Sequence, residues 1–314
     1  MNIAVNSNQY LVNQPTIKPI EYLLDNFLNV QDVKESSKKL YRRTLNQYFK
    51  WIEQKGYLLA NLTRVHILEY KDSLLSMGMS SLTVGSYITS VRRFYEWAEA
   101  NKYCQNIAKG VKTPKRKQQF KKQPLQVQQA KELIDHVKDI SKRDFAIINL
   151  LIRSGLRTIE AERANIEDIT FKAGQRVLLI HGKGRDEKDD FVVLTDKAFQ
   201  PIKEYLKSRG NYNASEPLFV SDSNNSKGER LSTRTISKIV KENLKSIGIN
   251  ERAFTAHSLR HTTAINILKA GGTLEMAQMT LRHSNPATTQ IYTSTLNEER
   301  RLNNSGEALI DSLF

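Results

Sequence analysis

Residues 255–294 read TAHSLRHTTAINILKAGGTLEMAQMTLRHSNPATTQIYTS, and the fold of the chain is decided in this stretch. It predicts a helix over Ser258 to Ala270 and a short helix starting near Leu274. His257 and Arg260 stand three apart, so on a helix they share one face and can address one anion together. Alone, such a pair is more often a helix-start histidine beside a surface arginine, and it gains weight only from company. His261 lies four beyond His257, the spacing of zinc peptidases, but that motif needs glutamate at its second position and Ser258 stands there, so no metal is expected. Farther on, His283 in LRHS precedes Tyr292 in QIYT by nine residues. The chain has twelve tyrosines, so most are structural, and Tyr292 by itself could be a packing residue.

Toward the amino terminus, Val127 to His136, Asp144 to Ser154, Asp196 to Ser208 and Thr233 to Ser246 read as helices. RVLLI (Arg176 to Ile180) and FVVLT (Phe191 to Thr195) read as paired strands around the polar loop HGKGRDEKDD. Arg157 and Glu160, in SGLRTIE, form another pair three apart after an apolar helix, either an ordinary ion pair or a guanidinium with its orienting carboxylate. Lys183 lies in GKG at the tip of the predicted hairpin. No Walker loop is present, because GxxxxGK[ST] is absent.

The first hundred residues read as a helical bundle. Ser36 or Ser37 can cap a helix with Tyr41, Leu45, Tyr48, Phe49 and Ile52 on one stripe, ending at Gly56. Thr63 can cap a second with Val65, Leu68 and Leu75 inward. Ser80 or Ser81 can cap a third carrying Val84, Tyr87, Ile88, Val91, Phe94, Tyr95 and Ala98. Between Lys109 and Lys122, KGVKTPKRKQQFKK carries seven basic residues, no acidic ones and a proline, so the domain boundary is expected here. Lys115, Arg116, Lys117, Lys121 and Lys122 are either a solvated tether or a set of phosphate contacts.

Lys and Arg number 48 against 33 Asp and Glu, a formal charge of +15 over 314 residues. Such a surplus implies a polyanionic partner. No segment approaches the roughly 20 apolar residues of a spanning helix, and residues 1–19 lack a basic and then apolar leader, so a cytoplasmic protein is expected. Cys104 is the only cysteine, which excludes an internal disulfide and any multi-cysteine metal site.

SGLRTIE, HGKG, HSLRH, LRHS and QIYT, in this order and at these intervals, resemble the tyrosine recombinase family of phage-type integrases and Xer-like enzymes. The resemblance spans roughly residues 125 to 295, and the helical first hundred residues look like that family's core-binding domain. It implies a mainly α fold with a small antiparallel sheet: a tail (1–16), a helical core DNA-binding domain (17–108), the basic linker (109–122), an α+β catalytic domain (123–295) and a C-terminal tail (296–314), together a C-shaped clamp on DNA. Two departures stand out: Arg282 occupies a position where the family usually has glycine, and AERAN after Glu160 is more polar than usual.

The resemblance also implies chemistry. Tyr292 would be the nucleophile that forms a 3′-phosphotyrosine, Arg157 and Arg260 would hold the scissile phosphate, and His283 would hydrogen-bond it. His257 would be the base, Lys183 the acid for the leaving 5′ oxygen, and Glu160 would orient its basic neighbours. No cofactor is implied. The partners would be double-stranded DNA recombination sites, a homotetramer on paired sites and an accessory directionality factor, in a bacterial cytoplasm at the nucleoid. The C-terminal tail, ending in ALIDSLF, would dock on a neighbour or fold back on its own domain. Fewer than twenty residues precede the first helix, so a simple core-site recombinase is expected rather than one with an arm-binding domain. A type IB topoisomerase or a non-catalytic DNA-binding regulator are the alternatives.

Overall fold

The computed structural model describes residues 2–3, 18–115, 122–182, 187–283, 285, 287–303, 306–311 and 313. The chain forms two compact units, Met1–Gln119 and Phe120–Phe314.

In the first unit, strands β1 (Asn2–Ile3) and β2 (Lys18–Pro19) pair antiparallel ahead of four helices: α1 (Ile20–Asn29), α2 (Glu35–Gln54), α3 (Arg64–Ser76) and α4 (Ser81–Ala100). The stripe predicted for α4 is buried in full, and the Ser80 hydroxyl accepts from the Thr83 amide at 3.2 Å as its cap. Phe27, Tyr48, Tyr70 and Phe94 fill the core between the helices, with rings tilted or edge-on. Two local expectations fail. α2 starts at Glu35 after Lys34, so Ser36 and Ser37 lie inside its first turn instead of capping it. α3 begins after Thr63 as expected, but turns Ile67, Tyr70 and Leu74 inward and leaves Val65 and Leu75 exposed. Its inner face is set by the aromatic Tyr70 packing on Tyr48 and Trp51. Cys104 packs against this core.

Residues beyond α4 continue on this unit. Val111 is buried, and Arg64 donates to the Lys109 and Gly110 carbonyls, each at 3.2 Å. Lys115 is the last described residue before 122; Arg116, Lys117 and Lys121 lie outside the described residues.

The second unit is built around α6 (Lys142–Ser154), enclosed by α5 (Val127–Lys138), α8 (Asp196–Arg209) and α10 (Ala256–Lys269). Every residue from Ala146 to Ile152 is buried, and the one polar member, Asn149, donates to the Lys197 carbonyl at 2.9 Å. After the short helix α7 (Thr158–Arg163) comes an antiparallel sheet in the order β3 (Ile169–Lys172), β4 (Gln175–Ile180), β5 (Asp190–Val193), with Val177 opposite Val193. β3 is an element the sequence did not announce. Its turn to β4 is Ala173-Gly174, both at positive φ, and alanine is not a residue that advertises such a turn. β5 stops at Val193 because Thr195 already precedes α8 as its N-terminal flank. α9 (Thr233–Ser246), α11 (Leu274–Leu281), α12 (Ala287–Asn303) and α13 (Gly306–Asp311) complete the unit. α12 is continuous through 295 and 296 and is seated on α10 and α11 through Tyr292 and Leu296, which pack with Ala264, Ile265 and Leu281.

Candidate active site

Three chain segments converge at the end of α6. Gly155 closes that helix in the left-handed region at φ +61°, and a Cβ there would come within 2.5 Å of a Leu281 methyl. Glycine is therefore required twice, by backbone sign and by close approach. The turn delivers Arg157 and then Glu160 in the first turn of α7. Glu160, 1% exposed at its side chain, accepts from the Arg157 amide at 2.8 Å and from the Arg157 guanidinium at 2.7 Å. A carboxylate that reaches back to the amide three residues earlier fixes the helix start and the arginine together.

Arg260 enters from the second turn of α10. It is 1% exposed, and its two terminal nitrogens donate to the carbonyls of Gly155 and Leu281. Two of its five N–H donors thus lock the guanidinium plane. Burial and the neighbouring Arg157 lower its pKa to about 9, which leaves it a cation at neutral pH.

Tyr292 is brought to the same place from α12. It is 2% exposed, and its hydroxyl lies 2.8 Å from Nδ1 of His261. A phenol donating to Nδ1 leaves the ring proton on Nε2. Burial raises the Tyr292 pKa to about 12 against the opposing pull of Arg260 and Arg157. His261 is pushed down to about 3, by burial first and then by His257, Arg260 and His283. It is a neutral base at any ordinary pH. His257 packs edge-on against His261, with ring centroids 4.6 Å apart, at the exposed start of α10. Loss of hydration against the surrounding protein, then Arg260, Arg157 and Lys122, lower its pKa as well. His283 lies nearly parallel to the Tyr292 ring and contacts the Thr289 hydroxyl at 3.0 Å. Burial, then Arg260 and Arg157, push it to about 4.

The structure thus gathers Arg157, Glu160, His257, Arg260, His283 and Tyr292. Lys183 lies outside the described residues, although the base of its hairpin is anchored: Arg163 donates to the Gly182 carbonyl at 3.1 Å, and Lys188 pairs with buried Asp168 at 2.5 Å. Lys122 donates to the Arg252 carbonyl at 3.0 Å. Among the described residues, no group of three or more His, Cys, Asp or Glu could hold a metal ion.

Residues 123–299 match the phage integrase family, and residues 21–102 match the phage integrase N-terminal SAM-like domain. The chain belongs to the phage integrase family of tyrosine recombinases. A tyrosine recombinase XerC of Pelobacter propionicus is 32% identical over 259 residues, covering 81% of this chain and 82% of the relative. A XerD of Staphylococcus epidermidis is 29% identical, covering 87% and 92%. Among solved structures, a XerH site-specific recombinase bound to palindromic difH substrate in a post-cleavage complex superposes with a TM-score of 0.72 at 20% identity, covering 98% of this chain and 100% of that one. A lambda integrase dimer bound to a COC′ core site gives 0.66 at 16% identity, covering 87% and 94%. This recombinase is accordingly a DNA-cleaving and rejoining enzyme.

Two residues of this recombinase's site were not picked out in the sequence. His261 was weighed only as a metal ligand, although its place one residue after Arg260 puts it one turn from His257 on the same helix. Arg282, noted only as a departure from glycine, reaches Glu160 at 2.8 Å with a side chain only 7% exposed. No sequence signal marks that contact, because 122 residues separate the partners.

Proposed function

We propose that this recombinase cuts one DNA strand with the Tyr292 hydroxyl and rejoins it to another, exchanging strands between paired sites. The observation that carries the reading is the Tyr292 hydroxyl bonded to a neutral imidazole beside the electropositive pair Arg157 and Arg260. In the cleavage step the phenolic oxygen bonds to the scissile phosphorus, the bond from phosphorus to the 5′ oxygen breaks, and charge grows on the non-bridging oxygens. Arg157 and Arg260 offset that charge, and His283 adds a hydrogen bond. The phenol's proton passes to His261 Nδ1 as its oxygen bonds to phosphorus, and the Nε2 proton of that ring leaves to His257, packed against it at the exposed start of α10, so that buried His261 ends neutral. His257 thus shares the basic role that the family resemblance gave it alone. Lys183 supplies the proton that the leaving 5′ oxygen needs. The phosphotyrosine conserves the broken bond until another strand's 5′ hydroxyl reverses the step.

The basic residues Lys115, Arg116, Lys117, Lys121 and Lys122 then contact DNA phosphates. Strand exchange needs two sites and four active sites, so the working form is a homotetramer. Leu302, Ile310 and Leu313 are exposed in the C-terminal segment, which suits a tail that docks on a neighbouring protomer. The biological outcome is integration or excision of a mobile element, with an accessory directionality factor, or Xer-like resolution, in the cytoplasm at the nucleoid.

The test is covalent capture. Incubation with nicked, fragmented genomic DNA of the source organism should give an adduct resistant to sodium dodecyl sulfate, whose sequence yields the site. Tyr292→Phe should give none. An adduct that survives this substitution overturns the reading, as does wild-type protein that binds DNA and forms no adduct.

A further inference from the structure

Arg282 closes α11 in the left-handed region, at φ +53° and ψ +48°. A side chain is disfavoured there and glycine is not. The residue is nevertheless folded inward: one terminal nitrogen donates to Glu160 at 2.8 Å, the other to the Thr280 carbonyl at 2.7 Å, and its Nε is buried with no partner among the described residues. Backbone strain and a desolvated N–H group are thus both tolerated at a position whose long-range contact is with Glu160. Glu160 is the shared object of that contact, since its carboxylate also takes the amide and guanidinium of Arg157.

We propose that Arg282 is a positioning residue for strand cleavage, acting through Glu160 to hold Arg157 toward the scissile phosphate and to keep the site's charge surplus positive. This inference rests on the phosphotyrosine reading above. With Arg157 alone, Glu160 would neutralise the guanidinium it orients. With Arg282 on the second oxygen, two cations share one carboxylate, and Arg157 keeps an attraction for the anion that builds up in cleavage. Burial opposes ionisation of Glu160, but the Arg282 charge, together with the Arg157 amide and guanidinium, holds its carboxyl below the usual range. From α10, Arg260 faces the same carboxylate.

The experiment compares wild type, Arg282→Gly and Arg282→Lys on the captured DNA sequence, built as a nicked duplex. Affinity is measured by gel shift, and adduct formation is measured at saturating protein from pH 5 to 8. Arg282→Gly suits the backbone, and Arg282→Asn, which also tolerates this conformation, replaces it if the glycine variant does not fold. In Arg282→Gly, affinity should stay within about threefold of wild type while adduct formation slows about tenfold, a loss of about 1.4 kcal/mol in transition-state stabilisation. Its acid limb should move to higher pH, because Glu160 without Arg282 protonates sooner. Arg282→Lys, with an ammonium for Glu160, should recover most of the rate. Cleavage by Arg282→Gly at or above the wild-type rate overturns the proposal, and so does a loss accounted for by weaker binding or an unmoved pH profile. Absence of adduct in the wild type run alongside instead overturns the phosphotyrosine reading.

Discussion

The burial of His261 and His283 sets how the site responds to acid. His261 and His283 are held at about 3 and about 4, below the ordinary histidine value. The unfolded chain takes up these protons near pH 6.5 and the folded chain resists them down to pH 3 to 4. Their contribution is therefore complete above about pH 6.5 and is lost as pH falls through that window. Thermal melts should show the melting temperature falling from pH 7 to pH 4, and His261→Gln should flatten that slope. Melts of wild type and variant with equal acid slopes would contradict the assignment. Gly155 makes a second residue-scale prediction. Gly155→Ala meets both a positive φ and Leu281, so urea unfolding should show a loss of about 1 to 3 kcal/mol, with slower adduct formation because the Gly155 carbonyl holds Arg260. At this scale residue types and order singled out the candidates, of which Arg157, Glu160, His257, Arg260, His283 and Tyr292 come together in the folded chain. The sequence did not show Arg282 reaching Glu160, because that pairing depends on how α11 meets α7.

Among the elements, α12 carries Tyr292, and Leu296 anchors it one turn beyond that residue. Leu296 is 8% exposed, so Leu296→Ala removes buried apolar surface and should destabilise the seating of α12 by about 2 kcal/mol or more. Hydrogen exchange should then quicken in α12 well before it changes in α6, whose core does not include Leu296. Equal acceleration in both helices would mean that α12 unfolds only with the whole unit. Strongly amphipathic helices such as α4 were legible in the sequence because their apolar period matches the face they bury. α3 was not, since Val65 and Leu75 are as apolar as the residues that face inward and only the aromatic core chooses between them. β3 was missed for a related reason: four residues and an Ala-Gly turn say little until β4 lies beside them.

For the whole molecule, the charge of +15 predicts binding that depends steeply on salt. Each phosphate neutralised releases counterions, so a protein making about 6 to 10 such contacts loses about 10³ to 10⁵ in affinity between 50 and 200 mM salt. Fluorescence anisotropy across that range should show this slope for cognate and random duplexes alike. A shallow slope would mean that the basic residues of the linker do not track the backbone. The division between the two units, after Gln119, falls within the basic stretch 109–122, whose Val111 packs into the first unit's core.

The sequence alone determined that the chain is a mainly helical DNA-cleaving recombinase. That identity lies in residue types held at fixed intervals, and such intervals survive whatever the packing. Only the tertiary structure decided that His261 receives the Tyr292 hydroxyl, that Gly155 and Leu281 carbonyls lock Arg260, and that Arg282 shares Glu160 with Arg157. These contacts join residues 21 to 122 positions apart, and hydrogen bonds and ion pairs act over a few ångströms, so they exist only once α6, α7, α10, α11 and α12 are packed together.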